Sequence, residues 1–121
     1  MAKGEEIGNK LNIIGNGTSI VGNIVSQGDV RIDGRLQGNL NSQSKLVIGT
    51  TGEIVGEIKC KECEVAGTVK GKIFVEELLM LRATAVVEGE IKTTKLAIEP
   101  NALFTGTCQM STQDKQFTDE Q

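Results

Sequence analysis

Six times along the chain an apolar residue, any residue, a glycine, any residue and a second apolar residue follow one another. The copies are Ile20-x-Gly22-x-Ile24, Leu36-x-Gly38-x-Leu40, Ile54-x-Gly56-x-Ile58, Val69-x-Gly71-x-Ile73, Val87-x-Gly89-x-Ile91 and Phe104-x-Gly106-x-Cys108. Their glycines recur at nearly even intervals from Gly22 to Gly106. That period is too short for a helical repeat. It fits one turn of a β-solenoid, in which each coil stacks on the last around a thin core.

A second apolar pair keeps the same period: Val30-x-Ile32, Leu46-x-Ile48, Cys63-x-Val65, Leu79-x-Leu81 and Leu96-x-Ile98. Alternation within each pair marks a strand with one face inward. Ile14-Gly15 before Ile20 matches Ile48-Gly49 before Ile54, so the first winding starts near Asn12. The reading is an all-β, single-domain parallel β-helix (a β-solenoid) of about six windings, each of roughly 15–18 residues. It runs over 12–110, between polar tails at 1–11 and 111–121 that are expected to be disordered. Right-handed coiling follows from the general preference of parallel crossovers. The glycine column marks a corner where the backbone turns sharply or nears its neighbour. Between the apolar pairs and the glycine phrases, corner lengths differ by about two residues, which can bulge outward without moving the inward set. Pro100 falls in one of the longer corners, where no ladder donor is needed.

Composition supports a narrow core. The chain has no Trp, no Tyr and three Phe, whereas stacked Ile, Leu and Val suit a thin coil. A net charge of −3 without a basic stripe disfavours nucleic acid. No apolar run reaches transmembrane length and no secretory leader pattern opens the chain, so a cytoplasmic location is expected. The absence of histidine removes the usual general base and the commonest metal ligand. Cys60-x-x-Cys63 has no second ligand pair for zinc. Cys63 and Cys108 take core register, and Cys60 is expected inward as well. No catalytic, cofactor or metal site is assigned. On the outer surface, Glu57, Lys72 and Glu90 fall in one ladder, read as a solvated face.

A solenoid has two open ends, each with unpaired strand groups and a bare layer of core side chains. Soluble solenoids blunt them with a polar capping repeat. Here the last winding keeps Leu96, Ile98, Phe104 and Cys108 in core register, and the first keeps Ile14, Ile20 and Ile24. Neither flank offers an amphipathic cap. The expectation is self-assembly end to end, with Phe104, Leu96, Ile98 and Cys108 at one interface and Ile14 and Ile20 at the other.

The opening Ile14-Gly15-x-Gly17-Thr18, the run Val30-x-Ile32-x-Gly34-x-Leu36-x-Gly38-x-Leu40 and the phrases through Gly106 resemble the bactofilin family. The resemblance implies a right-handed β-helix of triangular section. It also implies nucleotide-independent, non-polar filaments that scaffold cell-wall enzymes and cell shape. Partners would be other copies of the chain, cell-wall enzymes or other cytoskeletal proteins. In that family an N-terminal segment often binds the inner face of the membrane; here residues 1–11 carry Glu5 and Glu6 and lack a clear hydrophobic match. Three alternatives compete. A hexapeptide-repeat acyltransferase would need a constant hexad and a His. A polysaccharide-degrading β-helix would need clustered carboxylates, and Asp29 with Asp33 is the nearest pair of Asp in the repeat. A monomeric binding module would use outward Val21, Val25, Val47, Val55, Phe74 and Met80.

Overall fold

The structure is a computed structural model that describes residues 11–110. Both expected tails, apart from Leu11, lie outside the described residues. Eleven strands follow in order: β1 Leu11–Ile14, β2 Ser19–Val21, β3 Ile24–Ser26, β4 Asp29–Ile32, β5 Arg35–Ser42, β6 Lys45–Ile48, β7 Glu53–Cys60, β8 Glu62–Val65, β9 Thr68–Leu81, β10 Val86–Ile98 and β11 Leu103–Met110. Every pairing between them is parallel.

The chain makes six windings of three straight stretches each, a triangular coil. The first face is built from β1, β4, β6, β8 and the final thirds of β9 and β10. The second face holds β2 and the stretches before each repeat glycine; the third holds β3 and the stretches after it. Because β9 and β10 run on round a corner into the next winding, all the strands join one continuous sheet.

The two apolar marks of the sequence are the core. Val30, Ile32, Leu36, Leu40, Leu46, Ile48, Ile54 and Ile58 are buried, and so are their successors through Ile91. Register is kept residue for residue, with Leu36 over Ile54 and Ile54 over Val69, so each layer of branched aliphatics sits on the one before. Fully burying each such side chain contributes about 1.5–3 kcal/mol.

The glycine column behaves differently from an ordinary corner. β5, β7, β9, β10 and β11 run through it without a break in strand structure. The chain bends because each of these glycines adopts a φ between +133° and +146°. A Cβ at Gly71 would lie 2.0 Å from the carbonyl oxygen of Gly56 in the winding below. The bend therefore needs both an unusual φ and a backbone-to-backbone approach that only glycine allows. Beside it, two asparagine side chains accept hydrogen bonds from the next winding: Asn39 N–H donates to Asn23 Oδ1, and Glu57 N–H to Asn39 Oδ1, each at 3.3 Å.

Candidate functional site: the two open ends

The buried core spans the layers between Val30 and Ile91. Beyond it at either end lie hydrophobic side chains that pack on one side and are uncovered on the other. Ile14, Ile20 and Ile24 form the first such layer, while Leu96, Ala102 and Phe104 form the last. Their register is that of the core: Ile14 pairs with Ile32, Ile20 with Leu36, Ile24 with Leu40 and Phe104 with Val87. Nothing in the local sequence makes them surface residues. They are half-exposed because no winding of the described residues lies above or below them.

The C-terminal layer is completed by Ile98, which pairs with Leu81 and is 49% exposed. Cys108 pairs with Ile91, so its register is as the sequence indicates. Its burial is not: expected as a small core residue, it is exposed. Periodicity gives a residue's column, whereas burial also needs a further winding on top. Partial desolvation still raises the Cys108 thiol pKa. The six expected interface residues thus fall into two sets at opposite ends of the coil: Ile14 with Ile20, and Leu96 with Ile98, Phe104 and Cys108. Further apolar side chains add to the uncovered surface: Leu11 and Ile13 at the first end, Leu103 and Met110 at the last. Leu11, Ile13 and Leu103 stand outside the inward alternation, whereas Met110 continues the buried column of Cys60, Val75 and Thr93.

An ion-pair ladder rivets the last corner. Arg82 Nε donates to Glu64 Oε2 at 2.9 Å, and its Nη1 to Glu99 Oε2 at 3.0 Å, so one guanidinium spans three successive windings. Glu99 also accepts from the Ala83 N–H, and this bond, more than Arg82, holds its carboxyl below the usual carboxylate range. At the other end, Arg31 pairs with Asp33 at 2.9 Å. Such exposed, solvent-screened pairs add little to stability. Glu57, Lys72 and Glu90 are in register as expected, yet among the described residues the ion pairs form elsewhere, as a solvated face implies.

Cys60 and Cys63 are both buried in the core. Cys63 stacks between Leu46 and Leu79. Its thiol is pushed well up in pKa, first by the hydrogen bond with Cys60 and then by burial, which disfavours the thiolate that metal binding requires. Purified protein is therefore expected to carry no stoichiometric zinc by elemental analysis; one zinc per chain would overturn this reading of the pair. The described residues hold no cluster of three or more metal-ligating side chains.

A parallel β-solenoid with apolar layers open at both ends is a stacking unit, a class of protein that completes its core with further copies. Residues 12–109 match the family model of the bactofilins, described as polymer-forming cytoskeletal, and the chain belongs to that family. It is 27% identical over 103 residues to the bactofilin BacO of Myxococcus xanthus, across 85% of this chain and 82% of that protein. Its fold is similar to that of Thermus thermophilus bactofilin in double helical filaments solved by cryo-EM, with a TM-score of 0.79 at 30% identity over 83% of this chain and 99% of that one. A crystal structure of the same Thermus protein with a phenylalanine-to-arginine substitution gives a TM-score of 0.71 at 31% identity, covering 74% of this chain and 100% of that one.

Proposed function

We propose that this protein is a structural, non-enzymatic element of the cytoskeleton. It assembles end to end, without nucleotide, into filaments that scaffold cell shape or cell-wall synthesis. The observation that carries the reading is the pair of terminal layers that no described residue caps. Ile14, Ile20 and Ile24 at one end and Leu96, Ile98, Phe104 and Cys108 at the other keep core register while staying uncovered by the described residues. Covering them with another copy removes apolar surface from water at about 25 cal/mol per Å². It also pairs the strand N–H and C=O groups left open at each end.

Contacts of like with like, first end to first end and last to last, give a filament without polarity. The partners are other copies of this chain and, along the filament, cell-wall enzymes or other cytoskeletal proteins. The filament lies in the cytoplasm, and residues 1–11, which carry Glu5 and Glu6, offer at most a weak contact with the inner face of the membrane. Family membership supports the cytoskeletal part of this reading, and the filament form of a relative of the same fold supports the assembly.

Negative-stain electron microscopy of the purified protein tests the assembly. Filaments are expected in plain buffer, unchanged by addition of ATP or GTP. Monomers alone over a wide range of concentration, or filaments only with nucleotide, would refute it.

A further inference from the structure

The third face carries a feature that end-to-end stacking does not use. A groove of about 740 Å³ runs along it, lined in part by Asn41, Lys59, Lys61, Phe74, Glu76 and Lys92. Its outward column is set by strand register: Asn41 stands over Lys59, Lys59 over Phe74 and Phe74 over Lys92. Neighbouring windings are about 4.8 Å apart, so an aromatic ring lies between two lysines on successive rungs. Lys61 pairs with Glu77 at 3.8 Å. Among the described residues neither Lys59 nor Lys92 has a carboxylate within ion-pair distance. The groove is cationic with an apolar centre. It suits an extended acidic segment that brings an aromatic side chain.

We infer that residues 111–121 of the same subunit dock in this groove. Three observations converge on that occupant. The segment Ser-Thr-Gln-Asp-Lys-Gln-Phe-Thr-Asp-Glu-Gln holds three carboxylates, Asp114, Asp119 and Glu120, against the single cation Lys115, with Phe117 as its one large apolar residue. The chain reaches it from the right place: Met110 ends β11 on the third face, in register with Thr93 and next to Thr94, which lines the groove. The reach is sufficient. Phe74 lies two rungs from β11, about 10 Å along the coil, while the stretch from Met110 to Phe117 can span about 24 Å. A tether this short sets an effective concentration in the millimolar range, so a weak contact is well populated. Phe117 packs against Phe74 between the lysine stems, and Asp114, Asp119 and Glu120 face Lys59, Lys61 and Lys92.

Carbodiimide coupling of carboxylates to amines, read by mass spectrometry on the full chain, tests this. An equal mixture of ¹⁴N- and ¹⁵N-labelled protein separates links within a chain from links between chains. Asp114, Asp119 and Glu120 are expected to join Lys59, Lys61 and Lys92 within one chain at least about fivefold more than they join Lys70, which lies on another face. Phe117→Ser is expected to lower that preference severalfold. Links spread evenly over the lysines, links mainly between differently labelled chains, or a preference untouched by Phe117→Ser would each overturn the assignment. Coupling reads single subunits and filaments alike, so its outcome is independent of the assembly reading.

Discussion

Phe104→Arg is expected to leave the protein folded and unable to form filaments, at most paired through its first ends. Phe104 closes the last core layer, packed on Val87 of the preceding winding and open on its other side. In a free subunit an arginine there can lay its stem on the core and carry its charge out through the open end. In an end-to-end contact the same charge would be trapped between two apolar layers without a partner. That costs about 3 kcal/mol or more, which raises the concentration needed for assembly by roughly 100-fold. Sedimentation velocity is expected to show only single chains and pairs joined through their first ends at concentrations where the unaltered protein pellets as filaments. Circular dichroism should keep its β-sheet signature. Filaments that persist in this variant would remove Phe104 from the junction, and loss of the β signature would make it a folding residue instead.

Gly71→Ala is expected to have the largest effect on the fold itself. Its φ of +134° already disfavours any side chain, and a new Cβ would lie 2.0 Å from a backbone oxygen that cannot move without opening the ladder. Strain of about 1–3 kcal/mol adds to lost pairing between three windings. The total of more than about 4 kcal/mol consumes much of a small domain's stability. Insoluble or unfolded protein is the expected outcome. Gly22→Ala is the control. Gly22 has the same conformation, φ +139°, yet a Cβ there meets no described residue within 4 Å, since no described winding precedes it. That variant bears the backbone strain alone, with a fall in Tm on the order of 10 °C. Equal losses at both positions would show that φ, and not the stacking of backbones, dictates the glycine column.

The contrast between these two glycines also separates what is legible in a sequence from what is not. The columns of Ile, Leu, Val and Gly are legible because a solenoid repeats the same environment once per winding. Even Cys63 can be placed, since Leu46 and Leu79 bracket it in register. That the glycine column lies inside continuous strands is not legible, because a positive φ leaves no mark beyond the glycine itself. Cys108 shows the opposite limit. Its column is right and its burial wrong, because a repeat does not say which copy is last. The column of Lys59, Phe74 and Lys92 is legible too, since each stands three residues after its repeat glycine, Gly56, Gly71 and Gly89. That these residues line one groove is seen only in three dimensions.

Cryo-EM of filaments of the pure protein addresses the open ends most directly. If terminal layers meet face to face, the β-ladder runs unbroken through each junction, and six windings at about 4.8 Å give a rise of about 29 Å per subunit along the axis. Density for Phe104 and Leu96 at one junction and Ile14 and Ile20 at the other is the expected result. Filaments whose subunits touch side by side, with those layers left in solvent or sealed under one of the chain's own tails, would contradict it.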